Sequence, residues 1–497
     1  MQVRYDLCIL GAGPAGIAAA ARAHALGKAV ALVEPARPGG AGIADGALSS
    51  KTLWHLAMDF VRARRTDRGW HGGALELSWP DVTAQVRAAC EEAWGQAERL
   101  LARLAEPAPG GGPPAGRGGG RVDRVRGRGR FIAPDVVEVV DGDHDGARTI
   151  AADRFLIAVG SRPRGLPGVD VDGERVLTSD HVEHVATLPP SLGIVGAGVV
   201  GCEYATIFAG FARTAVELFD RGPRILPFED DDVSAEIAGS FRRAGVQIHA
   251  RAQLEELRVD GDGVHLVARL GDRGEVFERR LARVLLAVGR VAAIDGLGLD
   301  HAGVVVAKGA IACQAPGTCR TSAAHVWAAG DVSADVMLAN VAEQEGRHAV
   351  DDMFGLAPPP IRYDAQSAIY FFRPEVAAVG LNEQLCVAKG QPYRAAVVRL
   401  GLLRRAIAMR ATDGFVKLLA APDGRLLGLR VVGPQASSCI QGVALLIEQG
   451  GSLADLDRCL HPHPAVTEGV QEAARLLLGT SAHPPDAFPD LVSVIER

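Results

Sequence analysis

Twice in this chain an apolar strand runs into Gly-x-Gly-x-x-Gly, then a helix, then a second strand that ends on an acid. The first unit is Tyr5 to Leu10, Gly11-Ala12-Gly13-Pro14-Ala15-Gly16, an alanine-rich helix, and Ala29 to Val33 closed by Glu34. The second starts at Leu192 and carries Gly196-Ala197-Gly198-Val199-Val200-Gly201, a helix with Cys202-Glu203-Tyr204-Ala205, and Ala215 to Phe219 closed by Asp220. A lone glycine triplet is a weak signal. The complete strand, glycine, helix, strand and acid unit points to a dinucleotide site on a parallel α/β sheet. Gly11 makes the tight turn, Gly13 lets a pyrophosphate approach the backbone, and Gly16 lets the helix close on the sheet. Pro14 and Ala15 open the helix whose amino end meets the phosphate charge. Glu34 is placed to accept ribose hydroxyls. The competing reading, a tight strand-to-helix turn with no ligand, is the lesser one for so complete a unit.

Asp220 sharpens the second site. A carboxylate there pairs with a free 2′-hydroxyl and repels a 2′-phosphate, so NAD(H) is the preferred nucleotide. Arg221 and Arg224 stand beside it and leave NADP(H) possible.

Size and composition set the outer limits. The 497 residues leave room for about three domains. Apolar residues make up 48%, enough for a large core and too many for global disorder. A net charge of −6 argues against nucleic acid as a main partner, because phosphate binding needs a basic face. No apolar run approaches the ~20 residues of a membrane span. Met1 runs almost directly into the first strand, so no signal peptide and a cytoplasmic location are expected. None of the eight cysteines forms a Cys-x-x-Cys pair, and most lie in apolar segments. They read as buried free thiols in a reducing compartment.

Three further segments extend the pattern. Val326 to Val332 ends a strand on Gly330-Asp331, an acid that can reach the ribityl and phosphate region of a flavin. Leu156 to Pro163 carries Gly160 at a strand end, and Leu285 to Arg290 carries Gly289. With both fingerprints in this order, the chain resembles the FAD-dependent pyridine nucleotide-disulfide oxidoreductases from about Asp6 to Gly479. That family includes dihydrolipoamide dehydrogenase, glutathione reductase, mercuric reductase and soluble transhydrogenase. The resemblance implies an α/β chain of two nucleotide-binding, three-layer (Rossmann-like) domains and a C-terminal α+β dimerisation domain. It places FAD binding on 1–160 and 290–358, NAD(P) binding on 161–289 and a homodimer interface on 359–479. The last of these starts near Phe372-Arg373-Pro374-Glu375-Val376. Residues 107–120, almost all Pro, Gly and Ala, read as a surface-loop expansion, and the proline-bearing tail 480–497 as an extended arm. The arginines Arg121, Arg124, Arg126, Arg128 and Arg130 read as a solvated strand face.

One segment departs from the family. Its redox loop reads Gly-Gly-Thr-Cys, four residues, Cys-Ile-Pro-Ser-Lys. Here the gapless match is Gly39-Gly40-Ala41-Gly42, then Ile43 to Gly46, then Ala47-Leu48-Ser49-Ser50-Lys51. Gly40 keeps its place among the cofactor contacts. Gly42 and Ala47 stand where the two cysteines would be, so thiol chemistry at this loop is closed. Ser49 replaces the proline. Asp45 lies within the loop, facing either flavin or solvent.

By the same resemblance, Lys51 pairs with Glu203 beside flavin N5, where a cation stabilises reduced flavin and helps hydride arrive. His463 and Glu468 match the family's His-Pro, three residues, Glu dyad, which reaches into the partner subunit. There the dyad either protonates an acceptor such as a quinone oxygen or persists as an interface hydrogen bond.

The reading is an FAD-dependent NAD(P)H oxidoreductase that passes hydride to a non-disulfide, small-molecule acceptor: a nicotinamide, a quinone or a metal ion. The alternative is a catalytically retired paralogue with a structural or regulatory role. Thiol chemistry through Cys313 and Cys319, far from the loop, is the weakest reading.

Overall fold

In the computed structural model, residues 4–69, 71, 73, 75–106, 120–141 and 148–497 are described. The loop expected at 107–120 lies outside them except for Gly120. Two parallel sheets repeat one plan. The first has the strand order 326–328, 155–157, 7–10, 29–34, 121–126. The second has the order 176–177, 283–286, 191–195, 215–220, 247–250. Leu7–Leu10 is buried at every position, as a parallel strand covered on both faces must be. In each sheet a helix joins the central strand to its neighbour: α1 (Pro14–Ala25) in the first, α4 (Val199–Phe211) in the second. The chain leaves the first sheet through Ser161–Pro163 and returns through Arg290–Ala292, and these two segments pair antiparallel. Each sheet carries an antiparallel annex. Strands 128–133, 136–140 and 148–152 flank the first, and the meander 252–260, 263–270, 275–281 flanks the second.

Two further helices bring the halves together at the site. They are α2 (Ala47–Ala63), which follows the altered loop, and α3 (Trp79–Leu104). Helix α2 packs on α4 where α4 offers Gly210. A Cβ there would stand 3.2 Å from Met58 Cε and 3.3 Å from Ala57 Cβ, so a larger residue would push the helices apart. The arginines of the 121–130 stretch lie on paired strands, with Arg121 on Asp123, Arg124 on Glu98 and Arg130 on Glu138.

The C-terminal sheet is antiparallel, in the order 367–370, 376–380, 426–432, 415–420, 394–399, 492–496. The expected tail arm therefore ends as an edge strand, Val492–Glu496, on Arg394–Arg399. This sheet is tied to the second nucleotide sheet by buried charge. Lys417 is fully buried, with Nζ 2.6 Å from Asp230, 2.7 Å from Asp232 and 2.8 Å from Glu383. Asp231–Arg243 forms helix α5, so two of these acids sit at its start. Burial pushes the Lys417 ammonium down, but the charges of Asp232 and Asp230 outweigh it and hold its pKa above the ordinary value. Beside it Arg430 meets Glu229 at 2.9 Å, with Tyr370 donating to the same carboxylate. Among the described residues no helix is long and apolar enough to cross a membrane.

Candidate active site

The glycines of the first fingerprint divide into those that are crowded and one that is open. Gly11 has φ +102°, and a Cβ on it would stand 2.4 Å from the Ala158 carbonyl oxygen. A Cβ on Gly16 would stand 1.9 Å from the Gly11 oxygen. A Cβ on Gly13 would have nothing within 4 Å. Two glycines are thus fixed by the fold, and the third fronts free space at the start of α1, beside Pro14 and Ala15, where a phosphate can approach. Glu34 folds back on this turn and accepts the Ala12 amide at 2.7 Å and the Ala36 amide at 3.0 Å. Gly39 donates its amide to the Ala12 carbonyl, which brings Gly40 to Gly13. A Cβ on Gly40 would lie 3.3 Å from the Gly13 Cα.

The acid of the third glycine segment is held by groups that the sequence reading did not single out. Ser161, just after Gly160, donates its hydroxyl to Asp331 Oδ2 at 2.6 Å, and Arg290, just after Gly289, donates to that hydroxyl at 2.7 Å. The Gly330 amide donates to buried Glu345, whose other oxygen takes the Tyr363 hydroxyl. Burial pushes the Glu345 carboxyl above its ordinary range. The adjacency of Ser161 and Arg290 to two recognised glycines was the available signal. Nothing in sequence marks Glu345.

The second fingerprint repeats the geometry. Gly196 has φ +105° and its Cβ would meet the Ala287 oxygen at 2.3 Å; a Cβ on Gly201 would meet the Gly196 oxygen at 1.9 Å; Gly198 is open. Asp220 accepts the Ala197 amide and the Gly222 amide, both at 2.7 Å. Gly289, φ +102°, is also open. Arg224 is committed elsewhere, to Asp231 at 3.1 Å and to the Leu226 and Pro227 carbonyls. Each fingerprint thus has an open glycine, a helix amino end and an acid, and both fit a dinucleotide.

Lys51 and Glu203 come from the two halves and meet. Lys51 Nζ donates to Glu203 Oε2 at 2.7 Å, with the Glu203 side chain 6% exposed. The Phe371 backbone amide takes the other Glu203 oxygen at 3.1 Å, and its ring lies under the ammonium, 5.1 Å from Nζ. Phe371 is a third contributor that the sequence reading missed.

The loop before Lys51 carries no sulfur between Gly39 and Ser50. Asp45 has φ +51° and stands 3.4 Å from His184 Nε2, so its carboxylate is engaged with the second half of the molecule. All eight cysteines are free thiols. Cys90, on α3, reaches the loop: its Sγ donates to the Ile43 carbonyl at 3.5 Å. Burial pushes that thiol up to about 11, and Cys313 up to about 12, which holds both in the thiol form at neutral pH.

His463 Nδ1 and Glu468 Oε1 are 2.8 Å apart, and Glu468 also accepts the Ala465 amide at 2.8 Å. The imidazole is 61% exposed in the single chain. The structure does not bring this pair to Lys51 within one chain.

Comparison with known proteins gives a consistent result. Residues 5–346 match the pyridine nucleotide-disulphide oxidoreductase family, and residues 366–474 match that family's dimerisation domain. The chain is 30% identical over 494 residues to a dihydrolipoyl dehydrogenase of Bacillus subtilis, covering 97% of this chain and all of the relative. It is 32% identical over 483 residues to a dihydrolipoyl dehydrogenase of Halobacterium salinarum, covering 96% and 97%. Among solved structures it superposes on LpdA of Mycobacterium tuberculosis with a TM-score of 0.83 at 28% identity, covering 95% of this chain and 99% of that one.

Proposed function

This chain belongs to the pyridine nucleotide-disulphide oxidoreductase family and is a flavin-dependent pyridine nucleotide oxidoreductase; on that premise we propose that it passes electrons from NADH to a non-disulfide, small-molecule acceptor. The observation that carries the proposal is the coexistence of an assembled Lys51–Glu203 pair with a loop that has Gly42 and Ala47 in place of the two redox cysteines. FAD, when bound, supplies a ring that takes two electrons as hydride and hands them on.

The chain's own residues supply binding, orientation and charge. Gly11, Gly13, Gly16, Glu34, Gly40, Gly160, Gly330 and Asp331 would hold FAD. Gly196, Gly198, Gly201, Asp220 and Gly289 would hold the nicotinamide nucleotide. Asp220 favours NADH, because a 2′-phosphate would meet its carboxylate; Arg224 is engaged by Asp231, and Arg221, exposed beside it, is the group that keeps NADPH possible. Lys51 holds a positive charge near where negative charge develops, and Glu203 fixes the ammonium in place. In the homodimer that the dimerisation domain implies, His463 holds a proton on an imidazole oriented by Glu468. The acceptor is a quinone, a second nicotinamide or a metal ion. The retired-paralogue reading is disfavoured by the intact second fingerprint and Asp220, which would have no use without a nicotinamide nucleotide.

Turnover of dihydrolipoamide tests the proposal. Negligible NAD-linked oxidation of dihydrolipoamide, alongside NADH-driven reduction of a quinone or ferricyanide, is expected. Robust dihydrolipoamide oxidation would overturn it.

A further inference from the structure

The nucleotide-binding region that matches the family ends at residue 346, and the dimerisation domain begins at 366. The stretch 363–371, which enters that domain, is pinned to the candidate flavin site at both ends. At its far end Phe371, just past strand Ser367–Tyr370, donates its amide to Glu203. At its near end Tyr363, in the short turn Tyr363–Ala365, donates its hydroxyl to Glu345 Oε1 at 2.6 Å, and Glu345 Oε2 accepts the Gly330 amide at 2.6 Å. Phe371 serves the Lys51 pair already described. Tyr363 serves a different element, the turn that carries Asp331. We propose that Tyr363 is a positioning residue for FAD: through Glu345 it holds the Gly330 turn that presents Asp331, and so ties retention of the flavin to the docking of the C-terminal domain.

Three observations carry the inference. Glu345 is 1% exposed and, among the described residues, has no ion-pair partner; its side chain is met by two donors, the Gly330 N–H and the Tyr363 O–H. A buried carboxyl that loses one of two donors is left poorly solvated. The Gly330 turn is wedged between two helices. Gly330 has φ +78°, and a Cβ on it would stand 3.3 Å from Ala342 Cβ and 3.5 Å from Ala15 Cβ. Helix α6 (Ala339–Met353) carries both Ala342 and Glu345. Its next residue, Gly346, lies so close to α1 that a Cβ would stand 2.2 Å from the Ala15 carbonyl oxygen. One turn of α6 therefore sets both the Gly330 turn and the start of the fingerprint helix. Asp331 is secured from two sides: its side chain by Ser161 at 2.6 Å, and the backbone just before it by Glu345. Tyr363 is the member of this chain of contacts that lies outside the nucleotide-binding region.

The contacts can be removed one at a time. A phenylalanine at 363 keeps the ring and deletes the donor, which leaves Glu345 held by the Gly330 amide alone. A glutamine at 345 keeps both links, since its carbonyl accepts the Gly330 amide and its NH2 donates to the Tyr363 oxygen. A leucine at 345 keeps neither.

This inference rests on the placement of FAD against Gly330 and Asp331 in the proposed function, and not on the identity of the electron acceptor. Release of FAD from the loaded dimer, followed as free flavin separated from protein after dilution, is measured for wild type, Tyr363→Phe, Glu345→Gln, Glu345→Leu, Asp331→Ala and Tyr393→Phe. Tyr393 is the matched control, a buried tyrosine whose hydroxyl meets Glu383 at 2.9 Å within the C-terminal domain. Release about tenfold faster than wild type is expected in Tyr363→Phe and Glu345→Leu, with Glu345→Gln and Tyr393→Phe within about twofold of wild type. Adding Tyr363→Phe to Glu345→Leu is expected to speed release no further, because the two act through one contact. Wild-type release in Tyr363→Phe, or release in Glu345→Gln as fast as in Glu345→Leu, overturns the inference. Equal acceleration in Tyr393→Phe also overturns it, since the effect would then be one of general domain stability. Should Glu345→Leu fail to fold, Tyr363→Phe set against Glu345→Gln and Tyr393→Phe decides. Wild-type release in Asp331→Ala overturns the placement of FAD at Asp331 and the inference with it. Robust dihydrolipoamide oxidation would overturn the acceptor reading and leave this comparison standing.

Discussion

Lys51 Nζ and Glu203 Oε2 lie 2.7 Å apart although 152 residues separate them in the chain. Lys51 follows the altered loop on α2, and Glu203 sits one turn into the helix of the second fingerprint. The other Glu203 oxygen takes the Phe371 amide at the edge of the third sheet. One carboxylate therefore links residues of all three sheet units at the point where the proposed function has hydride cross.

Removing the cation should slow that crossing without emptying the flavin site. Lys51→Met is expected to keep its FAD and to lose about 10²–10³ in the rate of reduction by NADH, the scale of one preorganised charge-stabilising group. Stopped-flow absorbance of the flavin measures it. A rate within threefold of wild type would contradict the role given to Lys51.

Nucleotide choice should follow Asp220. Its carboxylate holds the Ala197 and Gly222 amides at the end of the strand, where the proposed function places the ribose, while Arg224 is tied to Asp231. Wild type is expected to prefer NADH over NADPH by about tenfold or more in kcat/KM, a difference of ~1.4 kcal/mol. Asp220→Asn narrows the gap. A wild-type preference for NADPH would contradict this account.

Much of this frame was legible in the sequence, for a definite reason. Gly11 and Gly196 take a positive φ and Gly16 and Gly201 sit against backbone, so glycine itself marks these four, whereas Gly13 and Gly198 have ordinary φ of −75° and −78° with open space around them and are marked by the motif spacing. The supports around them were not legible. Ser161, Arg290 and Glu345 act across large sequence separations, and no local spacing links a serine at 161 to an acid at 331. Lys417 reads as the polar position of a strand, where a lysine is normally solvated, and only the arrival of Asp230, Asp232 and Glu383 makes its burial possible. The tail pattern around Pro484, Pro485 and Pro489 hid the strand at Val492–Glu496, because pairing with Arg394–Arg399 is set by tertiary contact.

The Lys417 cluster gives a prediction about stability. Lys417→Met leaves three carboxylates facing one another without their cation, a loss on the order of 3–5 kcal/mol for breaking a buried pair. The thermal midpoint of the flavin-loaded protein is expected to fall by several degrees, and an unchanged midpoint would contradict the assignment.

The His463–Glu468 pair should show itself on the acid side. Burial pushes the Glu468 carboxyl up, but hydrogen bonds from His463 and the Ala465 amide and the His463 charge outweigh it and bring it below its ordinary 4.5. A folded value below the unfolded one means the pair stabilises above the unfolded value, and that contribution is lost as pH falls through the folded one. The stability advantage of wild type over Glu468→Gln is therefore expected to be larger at neutral pH than at a pH below the ordinary carboxylate range. Denaturant melts at the two pH values check it, and an advantage that persists undiminished at the lower pH would contradict the pairing.

The most direct test of the central claim is anaerobic stopped-flow mixing of the flavin-loaded protein with NADH, followed across the visible spectrum. Direct reduction of the flavin by NADH, with Lys51 and Glu203 supplying charge and no loop disulfide taking part, predicts rapid bleaching of the flavin with no thiolate-to-flavin charge-transfer band, and the same rate after alkylation of accessible thiols. A charge-transfer band that forms on reduction, and a rate that collapses on alkylation, would show that a cysteine carries the electrons and would contradict the account.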